Sequence, residues 1–214
     1  TNNSCSFCQF TDSSYTTTSS LCEQCQFVYT VYTGNHSLCS SCQFRTHSTY
    51  SGSNVTCSSC QFTADSHFYP INGSCSSCQF TNSYFSAFYS SCDACQLTGS
   101  IYNGVMNLFT NCTLLYSSSN IFHNASTYIG CVFLHSTNSL NQASVVTYAD
   151  CTFDDSSISA VGSVISLRGS TCFANISSQN GGRALSLYSS TIVYEEGANV
   201  TFINNVAVNG GAVY

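Results

Sequence analysis

Six Cys-x-x-Cys pairs are the residues of this chain best suited to chemistry: Cys5/Cys8, Cys22/Cys25, Cys39/Cys42, Cys57/Cys60, Cys75/Cys78 and Cys92/Cys95. Thiols at that spacing can ligate zinc, attach haem, do dithiol redox work or form disulfides. Haem attachment needs a His after the second Cys, and every copy carries Gln there. A zinc site would draw on His, yet His36, His47, His67, His123 and His135 recur in no phase with the pairs. Redox catalysis needs one reactive pair rather than six copies. Disulfides remain as the reading, and 16 Cys in 214 residues point to an oxidising compartment. No cofactor is expected.

Three pairing patterns are open. Equivalent cysteines of successive repeats could join, as Cys8–Cys25 or Cys5–Cys22. A staggered pattern would join Cys8–Cys22 and Cys25–Cys39, leaving Cys5 for a neighbouring subunit. Each Cys-x-x-Cys could also close on itself. A bridge closing a 17-residue loop would contribute about 3 kcal/mol. Four further cysteines, Cys112, Cys131, Cys151 and Cys172, continue the second position alone.

Two other groups could carry chemistry. N-x-S/T sequons begin at Asn2, Asn35, Asn54, Asn72, Asn111, Asn124, Asn175 and Asn199. Asn2, Asn54 and Asn72 each stand three residues before a first Cys, and Asn35 four before, which places candidate N-glycans in one row. The carboxylate pairs Asp154-Asp155 and Glu195-Glu196 could serve polysaccharide chemistry, but adjacent strand residues face opposite ways, so solvated loop charge is the simpler reading.

The pairs must be positioned by a repeat. They recur at steps of 17, 17, 18, 18 and 17 residues, and the lone cysteines follow at 17, 19, 20 and 21. A fixed period of this size marks a solenoid. Phe10, Phe27, Phe44, Phe62, Phe80 and Leu97 form one apolar column, joined later by Leu114, Phe133, Phe153 and Phe173. Tyr15, Tyr32, Tyr50, Phe68, Phe85 and Tyr102 form a second, and Leu21, Leu38 and Val55 a third. Gln9, Gln26, Gln43, Gln61, Gln79 and Gln96 alternate outward. Pro70 is expected in a corner. The sequence therefore predicts an all-β, right-handed parallel β-helix of about 17–21 residues per coil, reinforced by disulfides. A left-handed triangular helix is the alternative. Residues 1–97 form its Cys-x-x-Cys half and 98–214 its single-Cys half, giving a rod of about 50–55 Å at ~4.8 Å per coil.

Charged residues are only 6% of the chain; there is no Lys, and the cations are Arg45, Arg168 and Arg183. No basic stripe exists to neutralise phosphates, so nucleic acid is not an expected partner. A charge repeated in every coil would also form a destabilising like-charge ladder. No stretch approaches the ~20 apolar residues of a membrane span. The chain opens at Thr1 without an initiator Met or apolar leader, which reads as a mature or partial chain.

Residues 198–214 pair Phe202-x-x-Asn205 with Gly210-Gly211-Ala212-Val213, and an imperfect copy lies at Phe173–Asn175 and Gly181–Leu185. This resembles the FxxN/GGA[ILV] repeat of the chlamydial polymorphic outer-membrane proteins over about residues 170–214. The resemblance implies a pectin-lyase-like β-helix at the cell surface, often adhesive. The expected function is a structural extracellular glycoprotein: a rod or fibre subunit that associates end to end, because no capping repeat is evident. A surface adhesin or antigen binding a host or glycan partner is the alternative, and a polysaccharide-acting enzyme is a weaker one. Ice binding is disfavoured because Thr recurs in no phase.

Overall fold

The computed structural model describes residues 4–122, 125–141, 144–178 and 184–207. The described residues form a parallel β-helix without α-helix, in two compact units, Thr1–Asn103 and Gly104–Tyr214.

In the first unit each turn has three faces. The first turn sets the plan with β1 (Ser4–Ser6), β2 (Gln9–Thr11) and β3 (Ser14–Thr18). Strands of three, three and five residues, joined by three two-residue corners, account for the 17-residue step. The 18-residue steps arise where the second corner takes one more residue, with Thr46 and His47, and then Ala64 and Asp65, both left-handed.

A left-handed residue opens every corner of the first unit: Phe7, Asp12 and Ser19 in the first turn, at φ 58°, 47° and 56°. Such a conformation costs of order 1 kcal/mol or more outside Gly. Hydrogen bonding between turns offsets it. Phe7 N–H donates to Glu23 O at 2.9 Å, Ser41 N–H to Ser58 O at 2.8 Å and Asn54 N–H to Ile71 O at 2.8 Å. The backbone ladder thus continues around these corners.

The core follows from register. Cys5, Cys22 and Cys39 align on the first face, as do Cys57, Cys75 and Cys92. Phe10, Phe27, Phe44, Phe62, Phe80 and Leu97 align on the second. The Phe rings stack at 4.6–4.9 Å and within 5° of parallel. Tyr15, Tyr32, Tyr50, Phe68 and Phe85 align on the third face. The Gln column points outward, as expected.

Four expectations fail. Cys172 does not continue the column of Cys112, Cys131 and Cys151: it lies within Ser170–Ala174, half-buried and paired with Thr152, while buried Thr171 takes the inward place and donates to Arg168 O at 3.3 Å. Val55 is not the equivalent of Leu21 and Leu38: Leu38 pairs with Thr56 and is 39% exposed, while Val55 is a buried corner residue. The added residue of the 18-residue turn caused the misalignment. Pro70 lies inside His67–Ile71, buried, and pairs with Gly52. It belongs to an inward row of small residues, Thr17, Gly34, Gly52, Pro70 and Ala87; a Cβ on Gly52 would fall on Gly34 O. Thr does recur in phase over three turns, as Thr63, Thr81 and Thr98 on the outer second face.

The second unit keeps the plan with longer turns. Its first-face strand grows from Leu108–Thr110 to Ala125–Ile129, Val145–Ala149 and Val164–Arg168. Leu114, Phe133, Phe153, Phe173 and Phe202 continue a stacked second-face column. The first face now carries Phe109, Tyr128, Tyr148 and Leu167 inward, and the third carries Ser119, Asn138, Ile158 and Leu185.

Candidate functional site: the interior cysteine columns

The two cysteines of each motif have different structural positions. The first is the inward centre of a three-residue strand. The second follows the left-handed corner residue and also points inward. From Cys22 to Cys95 all ten are at most 2% exposed.

The second cysteine has counterparts at the other two corners, and they are mostly hydroxyls. Cys60 Sγ donates to Cys39 O at 3.4 Å in the turn before and to Ser58 O at 3.5 Å two residues back. At the second corner Ser100 Oγ reaches Phe80 O and Thr98 O, each at 3.0 Å. At the third, Ser90 Oγ reaches Pro70 O at 3.4 Å and Phe88 O at 2.9 Å. The second unit repeats the device: Cys151 Sγ meets Tyr128 O at 3.5 Å and Ala149 O at 3.3 Å, and Ser136 Oγ meets Leu114 O and Leu134 O at 2.9 Å. A small donor is needed at this position to satisfy carbonyls at the bend. That need explains why the second cysteine persists after the first is lost.

Thiol chemistry therefore concentrates where both columns exist. Cys5 and Cys8 are bonded, with Cα atoms 6.1 Å apart. The other fourteen cysteines stand as thiols. Cys75 Sγ lies 2.8 Å from Cys92 Sγ and 3.5 Å from Cys95 Sγ. Burial pushes the Cys39 and Cys57 thiols up, and Cys25 and Cys75 up to about 11. Cys42 goes the other way, down to about 4, because the Cys39 and Cys60 thiols donate to it. Around the columns are backbone and aromatic groups. Cys22 Sγ is 3.7 Å from Tyr32 Oη, which bonds Ser20 Oγ.

The remaining candidates lie outside this interior. His36, His47 and His135 sit on corners and His67 on the outer third face, so the described histidines and the inward thiols do not meet. His123 lies outside the described residues. The carboxylate pairs split. Asp154 accepts from Asn175 Nδ2 at 2.9 Å, whereas Asp155 meets His135 Nδ1 at 2.9 Å. Glu195 accepts from Ser166 Oγ at 2.7 Å beside Arg168 at 3.7 Å. Asn35, Asn54, Asn72, Asn111, Asn175 and Asn199 are all exposed; Asn54 and Asn72 occupy the left-handed position of the third corner. Asn2 and Asn124 lie outside the described residues.

No protein-family model matches the chain, and no curated protein matches it. Among solved structures it is similar to QnrB1, a plasmid-mediated fluoroquinolone resistance protein, at 12% identity over 91% of this chain and 94% of that one, TM-score 0.38. The A-module of the Azotobacter vinelandii mannuronan C-5 epimerase AlgE4 is similar at 8% identity over 96% and 86%, TM-score 0.43. The Dettilon tailspike protein is similar at 8% identity over 95% of this chain and 61% of its own, TM-score 0.44. Of the outer-membrane-protein resemblance, Phe202 stacks on Phe173 at 5.1 Å and Asn205 Oδ1 accepts from Ile176 N–H at 3.0 Å. Gly181–Arg183 and Gly210–Val213 lie outside the described residues.

Proposed function

We propose that this chain is a structural, non-catalytic β-helix of an extracellular, oxidising compartment, stiffened by disulfides that close within each Cys-x-x-Cys. One observation carries the reading: twelve cysteines form two adjacent inward columns, and ten of them, from Cys22 to Cys95, are at most 2% exposed among backbone and aromatic groups. Closure within the motif uses all twelve. It also matches the Cys5–Cys8 bridge. The corner residue between the two cysteines keeps one conformation throughout, from Phe7 at φ 58° to Ala94 at 52°. Each bridge forms by exchange with a small-molecule disulfide, which accepts two protons and two electrons and leaves as two thiols. Of the lone cysteines, Cys112, Cys131 and Cys151 act as corner donors.

The 2.8 Å approach of Cys75 and Cys92 favours a second pattern, with bridges between turns. Peptide mapping without reductant separates the two. Closure within the motif yields linear peptides lacking two hydrogens, and bridges between turns yield cross-linked peptides. Fully reduced cysteines in the natively secreted protein would refute both.

Assembly is the second half of the proposal. The strand edges of β1–β3 and the half-exposed rings of Phe10 and Tyr15 favour stacking of a further turn, whereas Phe27 and Tyr32 are fully buried. End-to-end association of copies would bury that edge. Electron microscopy of the full-length protein is expected to show filaments; short single rods at all concentrations would refute this part. The exposed sequon asparagines would carry N-glycans, and enzymatic deglycosylation of the secreted protein would lower its mass.

A further inference from the structure

The second corner of the first unit carries a side chain in turn after turn, including Tyr29, His47, Asp65 and Asn82, until Gly99 interrupts it. All three residues Asp65, Asn82 and Gly99 are left-handed, at φ 59°, 47° and 58°. A Cβ at Gly99 would come within 2.5 Å of Asn82 Oδ1. Beside it lies a hollow of about 250 Å³ lined by Asp65, Asn82, Ser83, Tyr84, Gly99 and Ile101.

One wall of the hollow is held in place. The Tyr84 ring stacks on His67 with centroids 4.7 Å apart and 10° between planes. His67 in turn stacks on Tyr69 at 5.4 Å, and Tyr69 Oη lies 2.7 Å from His67 Nδ1. Three rings fix one another, so Tyr84 needs little ordering on contact with a ligand. The lining also holds a carboxylate, Asp65, and a primary amide, Asn82.

We propose that this hollow binds one pyranose ring of a neutral oligosaccharide. A sugar ring presents an apolar C–H face and a rim of hydroxyls. The face fits Tyr84 and Ile101; the rim fits Asp65, which accepts, and Asn82, which both accepts and donates. The hollow is smaller than the roughly 300–1,000 Å³ of sites that enclose a drug-sized molecule, which suits a single ring with its neighbours lying along the surface. The Asp65 carboxylate disfavours phosphate and carboxylate ligands. The neighbouring third face continues the surface with exposed Tyr69, Ile71 and Phe88.

The test uses the full chain with cellotetraose, chitotetraose, maltotetraose and mannotetraose, read by saturation-transfer NMR and titration calorimetry. At least one is expected to bind. Tyr84→Ser is expected to weaken it about tenfold by removing the stacking face, and Asp65→Asn several-fold. Gly99→Asn is the decisive variant. Asn tolerates the left-handed conformation, as Asn82 already does one turn earlier, and the group it meets is the movable end of a side chain. It should fill the hollow and abolish binding with an unchanged melting temperature. Failure of all four sugars to bind, or binding that survives Gly99→Asn, would overturn the proposal. Neither result bears on the disulfide and assembly tests above.

Discussion

The two units solve one packing problem in opposite ways. In the first, Cys fills the inward position of the first face and Tyr or Phe that of the third. In the second, Phe109, Tyr128 and Tyr148 occupy the first face, while Ser119, Asn138 and Ile158 occupy the third. The Phe column of the second face is common to both. Interiors are packed to crystal-like density, so enlarging one wall requires shrinking another. The comparison shows that the first cysteine is a space-saving residue as well as a thiol. It is small where the facing aromatic reaches across, as Tyr32 Oη does to Cys22 Sγ.

The strongest way to break this contrast is reduction. Each four-residue ring is worth about 2 kcal/mol in the chain-entropy account. Full reduction of the six motif bridges is therefore expected to cost the first unit several kcal/mol and the second unit nothing. Peptide-resolved hydrogen exchange with and without reductant measures this directly. Equal loss of protection in both units would mean that the bridges are not confined to the motifs.

Exchanging the two packing solutions in one turn sharpens the comparison. In the reduced chain, Cys22→Phe alone should overpack the interior, at about 1–3 kcal/mol. Tyr32→Ser alone should leave a cavity costing about 3–5 kcal/mol. The double variant imports the arrangement of the second unit and should cost at least about 1 kcal/mol less than the sum. Urea melts of the four proteins give the coupling. Strict additivity would show that the two positions do not share space.

What could be read from the sequence depended on whether residue type or backbone geometry carried the repeat. The Phe and Gln columns were legible because stacking preserves identity from turn to turn. The corners were not, since the inter-turn ladder imposes the left-handed conformation on residues as unlike as Phe7, Tyr29 and Met106. Val55 stands two residues before its cysteine where Leu21 and Leu38 stand one before, an offset that a count of 17 residues per turn hides. The exchange of aromatic walls left a trace that went unused: Phe109, Tyr128 and Tyr148 stand three residues before a lone cysteine, where the missing thiol would be. The hollow beside Gly99 is lined by residues from three turns, and only the register brings these together.

Alkaline pH offers a smaller and signed contrast. In the reduced first unit, burial raises Cys25 and Cys75 from an ordinary value of 9.0 to about 11. Their protonated forms favour the folded state, so that contribution is complete below about 9 and is lost as pH climbs toward 11. Cys42 is depressed, and its contribution is already complete above 9, so it does not mask the loss. Oxidation removes the thiol part and leaves that of the buried tyrosines. In the second unit Cys131, raised to about 12, chiefly by the Cys112 thiol, lies outside any Cys-x-x-Cys. Its alkaline lability should be the same with or without reductant. Fluorescence-monitored pH titrations of each unit's tyrosines, in both redox states, check this.

The smallest expected effect isolates the corner role of the second cysteine. Cys131 Sγ donates to Phe109 O at 3.6 Å and Ile129 O at 3.5 Å, where hydroxyls do the same work at other corners. Cys131→Ser keeps the donor and nearly the size, so it should change stability by less than about 1 kcal/mol. Cys131→Ala removes the donor and leaves two buried carbonyls with one fewer partner, at about 1–2 kcal/mol. The reciprocal variant Ser136→Cys should again be nearly neutral. If the serine and alanine variants melt together, the corner tolerates any small residue, and the persistence of Cys112, Cys131 and Cys151 needs another cause. If serine alone is tolerated, these cysteines are hydroxyl analogues within the hydrogen-bond ladder, and a Cys-x-x-Cys arises wherever the facing aromatic leaves room for a second thiol.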